Sequence, residues 1–323
     1  MKAVVYHEYG LPDVLELTDV DKPNVKDDGV LIRVRAASVN RSDWETLTGS
    51  PAYVRLSGGL SKPKRPILGS DIAGIVEAVG SDVTEFQPGD EVFGDIMWHG
   101  SAGFAEYVSV PERAPLVHKP AGVSFEDAAA LPQGAVIALQ GPREKGGVQP
   151  GQQVMINGAG GGAGSFAVLI AKSLGAEVTG VDNTEKLDTM RSIGADHVID
   201  YTSEDFAKGG RRYDRILDLA MHRSIFAYRS VLKDDGVYLM VGGSVPRLLQ
   251  AVIVGGLISK LGSTEMGLLV AKPNKDDLSY LAGLVQEGKL TPAIDKTYSL
   301  SETPEALAWL GDGHAKGKVV ITV

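Results

Sequence analysis

"VMINGAGGGAG", residues 154–164, decides the fold of this chain. "VMIN" reads as a short buried strand, and "SFAVLIAKSLG" (165–175) reads as a helix stopped by Gly175. The glycines between them form the turn from strand to helix. Backbone without side chains can approach a pyrophosphate closely, and a helix N-terminus offers unpaired N–H groups and a favourable dipole. Aligned to the dinucleotide fingerprint, the turn supplies Ala159, Gly161 and Gly164, with alanine in the first slot. An acidic residue, Asp182, follows about twenty residues on, at the tip of the next strand. The pattern predicts a dinucleotide held by the backbone of Gly160, Gly161, Gly162 and Ala163, against the plainer alternative of a glycine-rich packing turn. A flexible linker does not sit between a buried strand and an amphipathic helix.

Working outward, short apolar strands alternate with helices after this point: "EVTGVD" (177–182), "HVID" (197–200), "RILDLA" (215–220) and "GVYLMVGG" (236–243). That rhythm predicts a doubly wound parallel sheet with helices on both faces. Before it, from residue 1 to 122, the texture is β-rich. "GVLIRVRAASVN" (29–40) and "DIAGIVEAVGSDV" (71–83) alternate like strands, and "QPGDEVFG" (87–94) turns into another. "SFEDAAALPQGAVIALQ" (124–140) opens with Ser124 and Asp127 at capping spacing and reads as helix despite Pro132. The last stretch ends in a strand, "KGKVVITV", and is expected to return to the first domain.

Composition bounds the function. With 323 residues the chain is long enough for about two domains. A net charge of −9 argues against a nucleic-acid or anionic-membrane partner. The absence of cysteine removes disulfides and thiolate metal sites and suits a reducing compartment. "MKAVVYHEYG" lacks the apolar core of a signal peptide, and no apolar run is long enough to span a membrane. The expectation is a soluble, cytoplasmic protein.

A set of motifs in fixed order then resembles one family. "MKAVVYHEYG", "ILGSDIAGIVEAVG", "GDEVFG", "GFAEYV", "AALP", the glycine turn, "LGAEVTGV", "IGADHVIDY" and "GHAKGKVVITV" run along the whole chain. They are similar to the medium-chain dehydrogenase/reductase superfamily, specifically its zinc-free quinone oxidoreductase (zeta-crystallin-like) branch. The resemblance implies a GroES-like β-rich catalytic domain over 1–122, a Rossmann domain over 123–266 and a return to the catalytic domain over 267–323. It also implies an active site in the cleft between the two.

In zinc-dependent relatives a Cys, a His and a Cys or Asp hold the metal. Here Asn40 stands in the first cysteine's place, in "SVNRSD", and Ser70 in the histidine's, in "LGSDIAG". The six histidines are far apart in sequence, and Asp43 and Asp71 alone make a poor zinc site. The expectation is no metal. Without a Lewis acid, hydride delivery to a quinone or an α,β-unsaturated carbonyl is easier than direct ketone reduction, since hydrogen bonds can stabilise the resulting oxyanion. Asn40 is the first candidate, donating to the substrate carbonyl or orienting the nicotinamide; a turn-forming role stays open. Asp43 matches an acidic residue near the nicotinamide ribose, or caps the helix "WETLTG". The family's cleft tyrosine is replaced by Glu45, so Tyr53, His99 or solvent remain as proton sources. A zinc-independent alcohol dehydrogenase or carbonyl reductase is the alternative enzyme, and a non-catalytic, crystallin-like nucleotide binder the alternative class.

For the cofactor, NAD(P)(H), Gly242 and Gly243 follow the fifth strand and are expected near the nicotinamide; the resemblance adds Lys318 on the diphosphate, with a solvent-facing strand lysine as the alternative. Lys186 and Tyr201 match residues that grip the 2′-phosphate of NADP. Asp182 argues the other way, since its carboxylate suits the two ribose hydroxyls of NAD and opposes a phosphate. NAD(H) is expected to be usable, with NADP(H) not strongly favoured. The family also implies a homodimer through an edge strand, "STEMGLLVAK" (263–272), because an unpaired apolar edge is relieved by pairing with its twin.

Overall fold

The structure, a computed structural model, describes residues 1–144 and 146–323. The chain forms two units, Met1–Val136 with Pro273–Val323, and Ile137–Lys272. The boundaries expected at 122 and 266 therefore move to 136 and 272. Helix Phe125–Ala130 accounts for the first shift. Ser124 Oγ caps it by accepting from Asp127 N at 3.0 Å, and Ala128, Ala129 and Ala130 are fully buried against strands of the first unit. Pro132 does not lie inside this helix but starts a second one, Pro132–Arg143, where its missing N–H costs nothing. The second shift arises because Leu269 N bonds Met240 O at 2.8 Å, and Gln140 holds Lys272 by its carbonyl and its amide, both at 2.9 Å.

The first unit is built on Gly29–Val39, a strand of 11 residues buried along most of its length. Asp71–Val79 and Lys318–Thr322 pair with it antiparallel, and Tyr107–Pro111 pairs along its first half. Glu91–Asp95 and then Leu116–His118 extend the sheet beyond Asp71–Val79, and Ile294–Ser299 flanks Lys318–Thr322. The C-terminal strand thus returns to the first domain as expected. One core joins these strands, with Ile32, Ile72, Phe104, Leu116 and Ile321 inaccessible to solvent.

The described residues of the second unit form six parallel strands. Their order is His197–Asp200, Glu177–Asp182, Gln153–Asn157, Tyr213–Asp218, Leu232–Met240, Glu265–Leu268. Chain order reverses at Gln153–Asn157, the first strand, so the crevice beyond its C-terminal end is where such sheets bind ligands. The glycine turn leaves from that end. Glu265–Leu268 is one of the two edge strands, inside the segment expected to be one.

Candidate active site

Pairing in the first unit sets a row of side chains across four strands, polar on three of them. Val320 lies opposite Ser38, Ser38 opposite Asp71, and Asp71 opposite Asp95. Side chains alternate with a period of two, so Asn40 and Lys318, each two positions along, face the same way as Ser38 and Val320. Lys318 Nζ donates to Asn40 Oδ1 at 2.6 Å and lies 3.4 Å from Asp71 Oδ2. Asn40 Nδ2 donates to Ser70 Oγ at 3.2 Å and to Ser38 O at 3.4 Å. Asp71 accepts from Ser38 Oγ and from Gln133 N, each at 3.2 Å. All these side chains but Gln133 are buried.

The structure gives three of the expected residues the following partners. Lys318 was assigned by resemblance to the cofactor diphosphate; the structure buries it, 2% exposed, with its ammonium committed to Asn40 and Asp71. Asn40 has its carbonyl taken by Lys318 and its amide hydrogens spent on Ser70 and Ser38, so it is a held group and not a free donor. Asp43 sits in the third position of helix Arg41–Thr48, whose N-cap is Asn40. Its carboxylate accepts from Asn40 N at 2.8 Å and Gly69 N at 3.2 Å, which ties the helix start to the stretch before Asp71–Val79 and supplies a capping role.

Burial sets the acid chemistry. It pushes the Asp43 carboxyl up to about 7 against the pull of the Asn40 and Gly69 amides, with the Asp71 charge adding to the rise. Burial also raises Asp71, which the Lys318 ammonium pulls back most strongly. Tyr53 lies at the entrance of the short helix Val54–Gly58; partial burial and then the Glu45 charge raise its phenol, keeping it protonated at neutral pH. His99, on the single turn Met97–His99, is held neutral by burial and then by Arg113.

In the second unit, helix Gly162–Ser173 starts at the glycine turn with Gly161 as its N-cap. The first amides of a helix have no carbonyl partner within it, so those of Gly162 and Ala163 point out of the turn. A Cβ on Gly164 would lie 2.0 Å from Gly158 O, so only glycine lets the helix pack onto the turn. A Cβ on Gly160 would meet the Lys186 side chain at 2.6 Å. The donor set and the bare backbone fit a dinucleotide pyrophosphate.

Asp182 is more engaged than its sequence position suggested. Its Oδ2 accepts from Gly160 N at 3.0 Å, its Oδ1 from Asn183 N at 2.9 Å, and Lys186 Nζ stands 3.7 Å from Oδ1. Lys186 is thus turned toward Asp182 and buried over the turn. Tyr201 is 55% exposed, with its backbone N on Asp182 O at 3.1 Å. Gly242 and Gly243 follow strand Leu232–Met240 at φ of 71° and 120°, against Met221.

Two buried groups escaped the sequence reading. Asp218, at the end of its strand, accepts from Asn157 Nδ2 at 2.8 Å and from Tyr238 OH and Met221 N at 2.9 Å, fixing the loop beside Gly243. Asp95 completes the row with Asp71; a lone carboxylate inside the apolar run "VFGDI" was the available signal.

A metal fits this donor set badly. The positions that carry Cys and His ligands in zinc-dependent relatives hold an amide and a hydroxyl, and the amide oxygen is bonded to an ammonium. A second cation there would face Lys318 at short range. Among the described residues no group of three or more His, Asp or Glu is arranged to hold a metal.

Comparison with known proteins agrees with this architecture. Residues 26–121 match the alcohol dehydrogenase GroES-like domain, and residues 193–321 match a zinc-binding dehydrogenase domain. The chain is 33% identical to 2-methylene-furan-3-one reductase of Solanum lycopersicum, over 99% of this chain and 79% of that protein. It is 32% identical to the chloroplastic NADPH-dependent alkenal/one oxidoreductase of Arabidopsis thaliana, with the same coverage. Among solved structures, the quinone oxidoreductase of Coxiella burnetii superposes with a TM-score of 0.88 at 31% identity, over 100% of this chain and 99% of that one. On sequence, fold and site together, the chain belongs to the quinone and alkenal/one oxidoreductase branch of the medium-chain dehydrogenase/reductase superfamily.

Proposed function

We propose that the protein reduces a quinone or the conjugated double bond of an α,β-unsaturated carbonyl with NAD(P)H and without a metal. The observation that carries this reading is the Lys318–Asn40–Ser70 set, polar and cationic where zinc-dependent relatives place ligands. When bound, the nicotinamide supplies hydride. The protein's own groups do the rest. The Gly160–Ala163 turn binds the pyrophosphate, Lys318 holds Asn40 in one orientation, and Ser70, which accepts from Asn40, keeps its own hydroxyl hydrogen for an oxyanion. Tyr53, neutral at working pH, is the acid we assign to return the proton.

Both nicotinamide cofactors are assigned as usable. The carboxylate of Asp182 supports NADH, and Lys186 and Tyr201 stand beside it for NADPH. The edge strand Glu265–Leu268 supports a two-fold homodimer, and the absence of cysteine supports a reducing, cytoplasmic setting.

Incubation with NADH or NADPH and a panel of simple quinones and short enones tests the reading. Cofactor oxidation above the blank, retained after exhaustive chelation, is the expected result. No oxidation with any pair leaves a nucleotide-binding protein instead. Stoichiometric zinc whose removal abolishes turnover overturns the metal-free mechanism alone.

A further inference from the structure

Asp95 has no part in the reading above, yet it is 2% exposed and stands beside Asp71 in the same row. Directly opposed residues on antiparallel strands have Cβ atoms about 5 Å apart, so the two carboxyl groups face each other across the ladder. Three buried carboxyl groups, Asp43, Asp71 and Asp95, share one ammonium, Lys318. All four cannot be ionised without two uncompensated buried negative charges, a cost of several kcal/mol per ion. A proton must stay in the cluster.

Donors decide where it stays. Asp71 has the ammonium, the Ser38 hydroxyl and the Gln133 amide. Asp43 has two backbone amides, from Asn40 and Gly69. Among the described residues Asp95 has one, Met97 N to Oδ1 at 2.8 Å, and its buried Oδ2 accepts from none. Its other strand neighbour contributes only Pro115 and Leu116, which carry no charge. An ionised carboxylate is stabilised by hydrogen bonds donated to it, so the group with fewest donors keeps the proton.

We propose that Asp95 is a positioning residue that works as the neutral acid, and that in this form it leaves Lys318 bonded to Asn40. The inference rests on the quinone and enone reductase reading. Ionised, Asp95 places a second negative charge beside Asp71, which draws the Lys318 ammonium away from Asn40 Oδ1 and releases the amide. Burial, then the charges of Asp71 and Asp43, against the Met97 amide and Lys318, push its carboxyl up to about 7, which sets the range in which the device operates.

The test compares the parent protein with Asp95→Asn between about pH 6 and pH 9. Infrared difference spectra are expected to show protonated carboxyl absorption in the parent that disappears with rising pH, and less of it in Asp95→Asn, where that of Asp43 is left. The side-chain amide resonance of Asn40, assigned through Asn40→Ser, is expected to shift further over the same range in the parent than in Asp95→Asn. Scaled to each enzyme's own maximum, kcat of the parent is expected to fall at least about threefold through this range, and that of Asp95→Asn to stay level. Carboxyl absorption that is undiminished in Asp95→Asn, an Asn40 resonance that shifts equally in both, or the same falling limb in both overturns the proposal. If Asp95→Asn does not fold, Asp95→Leu, neutral at every pH, gives the same comparison. Total absence of reductase activity would defeat the functional reading, while the infrared and resonance data would still decide the protonation and its effect on Asn40.

Discussion

Lys318 Nζ and Asn40 Oδ1 are 2.6 Å apart, although 278 residues separate them in the chain. The contact joins the last strand to the end of the central one and places a buried ammonium behind the amide that replaces a metal ligand. Asp71, fully buried, is the ammonium's counter-charge.

Removing that ammonium leaves Asp71 as an uncompensated buried charge. Lys318→Met is expected to destabilise the protein by about 3–5 kcal/mol, measured by urea unfolding. Adding Asp71→Asn should recover part of the loss. Equal losses in the single and double variants would mean that the pair is not coupled.

Stability should depend on pH with a definite sign. Asp43 and Asp95 are both raised to about 7, well above their unfolded carboxylate values. Between the unfolded value near 4 and the folded one, the folded protein binds more protons than the unfolded chain, so stability falls as pH rises through that window. Thermal unfolding at about pH 5 and pH 8 is expected to show the lower midpoint at pH 8. Asp43→Asn should flatten the slope, and a midpoint that rises steadily across the window would contradict the assignment.

Tyr53→Phe removes the one neutral phenol assigned to proton return. At saturating cofactor, kcat is expected to fall at least about tenfold, below the usual range for a general acid because water can substitute. An unchanged kcat with a raised KM would make Tyr53 a wall of the substrate site and not its acid.

Asp182→Ser tests the cofactor side. Its carboxylate holds Lys186 at 3.7 Å, so removal frees that lysine for a phosphate as well as lifting the like-charge contact. The ratio of kcat/KM for NADPH over NADH should rise at least about tenfold, or roughly 1.4 kcal/mol. If the parent already prefers NADPH about a hundredfold and the variant changes nothing, Asp182 does not face the ribose.

The glycine turn was legible because its signal is local. Strand, turn, helix and Asp182 fall within about thirty residues, and each imposes its own backbone requirement. The alternation of "GVLIRVRAASVN" likewise announced a strand. What alternation cannot show is which residue of another strand stands opposite. That register comes from pairing between strands far apart in the chain, Val319 against Val39 and Asp71 against Asp95, and it depends on how their apolar faces fill one core. Lys318 read alone was therefore a strand lysine free to reach a phosphate, and Asp95 went unnoticed. Only the packed sheet made one the anchor of Asn40 and the other its acidic neighbour, because burial is what makes a charge depend on the partners beside it.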